Sequence, residues 1–304
     1  MIIKRRSTML YRDQNIILGC MRIADKPIEE VKDLIQTALD LGINFFDHAN
    51  IYGQGKSEKV FAKAIDELGI DRSSIIIQSK CGIDAKTGTY NFSKTHIIEE
   101  TTKILERLNT DYIDILLLHR PDALMDFREV NEAFHYLFDK GMVKAFGLSN
   151  QSSTQMEMMQ KYIDFPLRFN QVQFSLMHSQ LIDAGLQYNM GTFHSQDFLL
   201  EYARTNQIQL QAWSPFFSGF FEDIFIDNPK FPEVNEKLDE LALKYDVSKE
   251  AISVAWILRH PVNFQVVVGT TRSDRLKKIA QAKHIQLSHQ DWYDLYKASG
   301  KILP

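Results

Sequence analysis

The chain has 304 residues, of which 44% are hydrophobic and 24% charged, with a formal net charge of -4. That composition is ordinary for a globular protein and argues against a disordered one. The slight negative balance supplies no diffuse positive field for a nucleic-acid backbone, so any anion site must be local. Two cysteines, Cys20 and Cys81, make neither a disulfide framework nor a zinc-ligand array, which fits a reducing compartment. Lys4, Arg5, Arg6 and Arg12 are not followed by the apolar core of a signal peptide, and apolar stretches such as 115–118 are far too short to span a bilayer. A cytoplasmic protein without membrane or nucleic-acid partners is the expectation.

A chain of this length holds one large barrel or two ordinary domains. In chain order, β-branched and aromatic runs at 16–18, 43–46, 75–79, 112–118, 143–148, 168–173, 208–212 and 265–268 alternate with helical patterns. Such alternation marks a parallel sheet with crossover helices, and eight runs suggest closure into a (β/α)8 TIM barrel. Val31, Leu34, Ile35, Ala38 and Leu39 recur on one helical face, with Pro27 near the start and Gly42 just beyond the end. Val60, Phe61, Ala64, Ile65 and Leu68 repeat the pattern before Gly69, and Ile97, Thr101, Ile104, Leu105 and Leu108 do so after Ser93, a predicted N-cap. No linker rich in Gly, Ser or Pro divides the chain, so 1–304 reads as a single domain. A longer connection over about 215–260 opens on Phe216, Phe217, Phe220 and Phe221 and contains two further helical patterns. It reads equally as a lid and as a plug of the barrel end.

Chemistry in a parallel barrel gathers at the carboxyl ends of the strands. Here the second run closes in Asp47, the third in Lys80, the fourth in His119 and the fifth in Ser149 and Asn150, while Gln171 lies near the end of the sixth. Each alone is an ordinary polar strand exit, but Asp, Lys and His from three successive strands face one opening. Tyr52 follows Asp47 closely in a loop flanked by Gly53 and Gly55, which can return the phenol over the mouth. A free phenol is a poor acid near neutrality, and an adjacent cation lowers its pKa. Lys80 can supply that cation, Asp47 can hold it, and a neutral His119 can orient and polarise a carbonyl oxygen.

Asp47 with Tyr52, Lys80 in Gln78-Ser79-Lys80-Cys81-Gly82, and His119 in Leu118-His119-Arg120-Pro121-Asp122 resemble the tetrad of the aldo-keto reductases. The resemblance runs from about Leu18 to Ser299 and includes Gly147-Leu148-Ser149-Asn150, Asn170-Gln171-Val172 and Ala212-Trp213-Ser214-Pro215. It implies hydride transfer between NADPH and the carbonyl of an aldehyde or ketone, reversible with the alcohol. Tyr52 would act as general acid, Lys80 and Asp47 would tune it, and His119 would place the carbonyl.

No Gly-x-Gly-x-x-Gly fingerprint follows a strand, and the resembled family uses none. By resemblance, Ser149, Asn150 and Gln171 bond the nicotinamide carboxamide, Trp213 stacks beneath the ring, and Ser214 approaches the pyrophosphate. Trp213 stands where many relatives have tyrosine, and either ring offers a flat apolar face. Gly269-Thr270-Thr271-Arg272-Ser273-Asp274-Arg275 follows the last strand and opens a helix, whose first amides suit a phosphate. The resemblance sets Arg272 and Arg275 toward the adenosine 2'-phosphate, which implies NADPH/NADP+. Gly269 and Thr270 replace a usual lysine-serine pair, and Ile279 replaces a common adenine-binding asparagine.

Three other readings are weaker. Residues 50–57 end like a P-loop but lack its first glycine; Asp47, His48 and His119 lack the spacing of a metal-ligand pair. A nucleotide-binding regulator of the same fold, with little turnover, is the alternative outside enzymology. The substrate pocket is expected to draw on Cys20, Met21, Arg22, Tyr52, His119, Arg120, Phe216 and Phe217, with the two arginines either meeting an acidic or polar substrate or pairing with loop carboxylates.

Overall fold

The computed structural model describes residues 14–188, 197–220 and 222–303, so Lys4, Arg5, Arg6, Arg12 and Phe221 lie outside the described residues. Strands β1 (Ile16–Gly19), β2 (Phe45–Asp47), β3 (Ile76–Cys81), β4 (Ile113–Leu118), β5 (Val143–Ser149), β6 (Leu167–Gln173), β7 (Gln209–Trp213) and β8 (Gln265–Val268) form a closed barrel in chain order. Closure is parallel, pairing Ile16 with Val266, Ile17 with Val267 and Leu18 with Val268. The expected runs shift by a residue or two. β2 starts later and takes in Asp47, while β3 runs through Lys80 to Cys81. These charged residues belong to the ladder because they neutralise one another inside the barrel.

The two-residue period of a strand divides the core. Ile16, Leu18, Phe46, Leu116 and Leu118 face the helices in the main apolar cluster, whereas Ile17, Phe45, Ile115, Leu117, Phe169 and Val267 form a separate cluster inside the barrel. Continuing two residues along β2 and β6 from Phe45 and Phe169 gives Asp47 and Gln171, so the inner face becomes polar toward the carboxyl ends.

The outer helices are α1 (Ile28–Asp40), α2 (Lys56–Glu67), α3 (Lys94–Leu108), α4 (Phe127–Asp139), α5 (Ser153–Gln160), α6 (Gln180–Leu186) and α7 (Leu199–Asn206), then α8 (Pro232–Tyr245), α9 (Lys249–Leu258), α10 (Ser273–Ala280) and α11 (His289–Ala298). Their stop and start signals act as expected. Gly42 adopts φ 67° after α1, and the Ser93 hydroxyl accepts from the His96 amide at the start of α3. The long connection carries α8 and α9, and its aromatics divide by role. Phe216 is buried in the main core, Phe217 is half-buried, and Phe220 is exposed beside Trp213 with ring centroids 6.2 Å apart. Phe216 thus packs as core, and Phe220 stands at the mouth.

Gly147 is required by close approach. A Cβ there would lie 2.6 Å from Phe169 Cβ and 2.9 Å from the Phe169 carbonyl oxygen, beside a register shift between β5 and β6. Gly147→Ala is expected to cost about 1–3 kcal/mol through overpacking, read from urea unfolding. An unchanged midpoint would contradict the close approach.

Candidate active site

β2, β3 and the loop after β2 bring three groups onto one ammonium. Lys80 Nζ donates to Asp47 Oδ1 at 2.8 Å and Oδ2 at 2.7 Å, to the His48 carbonyl oxygen at 2.9 Å, and to the Tyr52 hydroxyl at 3.1 Å. Lys80 is fully buried and Asp47 nearly so. Tyr52 reaches the ammonium through a short turn, Tyr52–Gly55, in which Gly53 takes φ 55° and would, with a Cβ, strike Ala24 at 2.4 Å. Opposite the phenol stands His119, edge-to-face with Tyr52 at a centroid distance of 6.3 Å.

Asp47 is also held by amides. Its Oδ1 accepts from Gln78 Nε2 at 2.6 Å and from Gln171 Nε2 at 2.9 Å. Both amides also donate to Gln211 Oε1, at 2.9 and 3.1 Å, and Gln211 Nε2 donates to Gln78 Oε1 and Gln265 Oε1, each at 3.0 Å. Gln265 Nε2 donates to the Gln14 carbonyl oxygen at 2.9 Å. Every N–H of Gln78, Gln171 and Gln211 thus has an acceptor, inside a barrel where an unmet one is costly. The sequence marks Gln171 as a polar residue near a strand end but does not single out Gln78, Gln211 and Gln265. Their inward position on strands was the available signal.

Electrostatics sharpen the roles. Burial opposes the Lys80 charge, yet Asp47 and Tyr52 together outweigh it and raise the ammonium's pKa. Burial raises the Tyr52 pKa as well, and the attraction of Lys80 only partly offsets this while Asp47 adds to it. The expected lowering by the cation is therefore corrected: without its water the phenol stays protonated. Burial, followed by Lys80 and Arg120, holds His119 well below the usual imidazole range. Its Nδ1 is enclosed without a hydrogen-bond partner among the described residues. Burial and Lys80 bring His48 to about 3, and both its ring nitrogens are likewise unpartnered.

The rim carries the other predicted positions. Ser149 Oγ donates to the Gln171 carbonyl at 2.8 Å, Asn150 Nδ2 donates to the His119 carbonyl at 3.2 Å and to Ser149 Oγ at 2.8 Å, and Trp213 Nε1 donates to Asn150 Oδ1 at 3.0 Å. Asn150 and Ser214 take φ 60° and 53°, a region unfavourable to non-glycine residues. Asn109, Gln207 and Asp246 share that conformation as ordinary helix ends, whereas Asn150 and Ser214 follow strands at the mouth. Beyond β8, Thr270 Oγ1 accepts from the Arg272 amide at 3.2 Å, and the first turn of α10 has no side-chain cap, which leaves its leading amides open to an anion. Arg272 is exposed and chelates Asp274, a solvent-screened pair that a phosphate can displace. Arg275 pairs with Glu250 at 3.3 Å under the Phe216 ring. Gly269 meets Arg22, which donates to its carbonyl at 3.3 Å. The donor set fits the phosphate end of a nicotinamide dinucleotide. Ile279 is fully buried, so its side chain is not available to an adenine.

Some expected members lie elsewhere. Cys20 is buried in the cluster facing the helices, with its thiol near enough to Asp47 and Lys80 to feel their charges. The P-loop-like segment is committed to structure, since Ser57 Oγ donates to the Cys20 carbonyl at 2.8 Å and Lys56 points to solvent near Asp25. Among the described residues no group of His, Cys, Asp and Glu could hold a metal ion, and no helix is long and apolar enough to cross a membrane. A cavity of about 580 Å³ lined by Ile182, Leu200, Arg259, His260 and Trp292 shares no residue with the Tyr52 cluster.

Comparison with known proteins bears on the family and the fold. The profile of the Aldo/keto reductase family matches residues 15–299. Oxidoreductase YdhF of Escherichia coli (strain K12) is 30% identical over 293 residues, covering 93% of this chain and 92% of that protein. A 6-dehydroglucose reductase of Agrobacterium fabrum is 30% identical over 292 residues, covering 92% of each. Among solved structures, an aldo-keto reductase from Klebsiella pneumoniae in complex with NADPH superimposes with a TM-score of 0.74 at 21% identity, covering 93% of this chain and 90% of that one, a likeness of fold. The chain belongs to the aldo/keto reductase family, oxidoreductases that use a nicotinamide cofactor.

The enclosed imidazoles give a test of burial. His48 has a folded pKa of about 3, so below its ordinary value the unfolded chain takes up a proton that the folded chain refuses. Stability should therefore fall as pH drops from about 6.5, by about 2 kcal/mol per such histidine at pH 5. Urea unfolding at pH 7 and 5 is expected to show that His48→Leu removes about 2 kcal/mol of the pH-dependent loss. An identical loss in the variant would show that His48 is not buried neutral.

Proposed function

We propose that this protein is an NADPH-dependent carbonyl reductase, in which Tyr52 delivers the proton and His119 positions the carbonyl of an aldehyde or ketone. The observation that carries this reading is the Lys80 ammonium bonded at once to Asp47 and to the Tyr52 hydroxyl, with a neutral His119 facing the same phenol. An ammonium can only donate, so the phenol oxygen accepts from Lys80 and keeps its own proton free for a substrate oxygen. The raised pKa keeps that proton in place at neutral pH. Once the proton leaves, the charge forms against Lys80, so the ammonium stabilises the product of transfer more than the resting phenol. His119, uncharged, donates a hydrogen bond from one ring nitrogen without adding a competing acid.

The nicotinamide, when bound, supplies the hydride. Trp213 offers it a half-buried face, while Ser149, Asn150 and Gln171 hold polar groups around it. Ser214, Gly269, Thr270, Arg272 and Arg275 would take the phosphates. Two features support NADPH over NADH: the exposed guanidinium of Arg272 and the uncapped start of α10. The regulator reading has support in one group of relatives, a probable voltage-gated potassium channel subunit beta of Arabidopsis thaliana being 29% identical over 284 residues, but a purely structural cavity has no need of the Lys80–Tyr52 contact, which favours turnover.

Steady-state oxidation of NADPH with small aldehydes and ketones tests the reading directly. Tyr52→Phe is expected to lower kcat/KM by about a hundredfold or more while NADPH affinity changes little. Lys80→Met should behave similarly and displace the alkaline limb of the pH profile. Turnover by Tyr52→Phe at the wild-type rate would refute the assignment. Arg272→Ala should erode the preference for NADPH, and an unaltered preference would remove Arg272 from the phosphate site.

A further inference from the structure

Arg120 follows His119 directly at the end of β4. Six described arginines are half-buried: Arg72, Arg107, Arg120, Arg168, Arg259 and Arg275. Five have an oxygen partner. Arg72 meets Asp114, Arg107 meets Glu58, Arg275 meets Glu250, and Arg168 and Arg259 donate to the carbonyls of Asn206 and Leu287. Arg120 has none: among the described residues it makes no hydrogen bond and no ion pair. Its guanidinium carbon instead lies 5.6 Å from the Trp213 ring centroid and 5.5 Å from that of Phe220.

The two ring centroids are themselves only 6.2 Å apart, so both rings wall the guanidinium on one side, and neither offers an acceptor to its five N–H groups. Burial penalises the charge, and the nearby Tyr90 and Tyr52 offset this only in part. A half-buried guanidinium without an acceptor, next to the residue that faces the phenol, is arranged for an acceptor that arrives with the substrate. The in-plane fork of arginine matches the two oxygens of a carboxylate, and one carboxylate balances its single charge. Arg22, the other arginine near the mouth, is bound to the Gly269 carbonyl at the opposite side and lies 5.7 Å from the Phe217 ring.

We propose that Arg120 determines specificity, and that the carbonyl substrate is an oxo-acid whose carboxylate lies within a few carbons of the carbonyl carbon. The proposal rests on the reductase reading of the same site. In this arrangement the carboxylate docks on Arg120, Trp213 and Phe220 wall the guanidinium on its other side, and the carbonyl oxygen is left between Tyr52 and His119. Arg120 contacts substrate but takes no part in proton transfer.

The test compares 4-oxobutanoate and 5-oxopentanoate with their methyl esters, which keep chain length and remove the charge, by NADPH oxidation. Wild-type kcat/KM should favour the acids over the esters by about tenfold or more, the range of a charge-assisted hydrogen bond. Arg120→Met should bring that ratio to about one, chiefly through KM for the acid, and Arg120→Lys should retain part of it. A wild-type ratio at or below one overturns the proposal without any variant, and so does an undiminished ratio in Arg120→Met. Reduction of the esters without preference for the acids removes only the role of Arg120. Absence of NADPH oxidation with acids, esters and simple aldehydes alike removes the reductase reading beneath it.

Discussion

A lysine enclosed at the centre of a barrel needs its charge answered, and here the answer is Asp47. The ion pair joins adjacent strands, with both carboxylate oxygens within 2.8 Å of Nζ. Taking two charges out of water is unfavourable by itself, and such a pair persists where its remaining bonding capacity is filled. Lys80 fills its own with the His48 carbonyl and the Tyr52 hydroxyl. The position of the phenol is thus a consequence of satisfying the ammonium. Removing Asp47 would leave a charge with no counter-ion in a place that tolerates none.

The amides around Asp47 extend this constraint across the barrel. The chain Gln265–Gln211–Gln78 ends on two groups that can only accept, the Gln14 carbonyl and the Asp47 carboxylate. These ends set the direction of every amide between them, because reversing one would face N–H to N–H or oxygen to carboxylate. Gln171 joins the same array from β6. Its two N–H groups are committed to Asp47 and Gln211, so in the proposed reading Oε1 is what it offers a carboxamide. Five strands therefore contribute to fixing one carboxylate, which makes the pocket floor rigid.

What could be read from the sequence follows from how local each signal is. Strand runs, helix faces, Pro27, Gly42 and Ser93 report near-neighbour physics, and the barrel formed from them as expected. Asp47, Lys80, Tyr52 and His119 were legible because a parallel barrel gathers strand ends. The direction of the Tyr52 shift was not, since it depends on how much water burial removes, a property of the whole surroundings. The glutamine array was equally hidden. A glutamine in a strand is unremarkable until closure brings Gln78 on β3 within 2.9 Å of Gln211 on β7.

The rim reveals how recognition is divided. Asn150 ties β4, β5 and β7 together, donating to His119 and Ser149 and accepting from Trp213, in a backbone conformation that costs energy to hold. Its two N–H groups and its oxygen already have partners, so a carboxamide that bonds there exchanges contacts instead of adding them, and exchange contributes little net affinity. Unmet capacity lies at two other places, the uncapped start of α10 and the guanidinium of Arg120. Both suit anions, in the proposed reading one at the far end of a dinucleotide and one beside the reacting carbonyl. On this division the centre of the site orients, while affinity and choice of substrate come from charges at its two extremities.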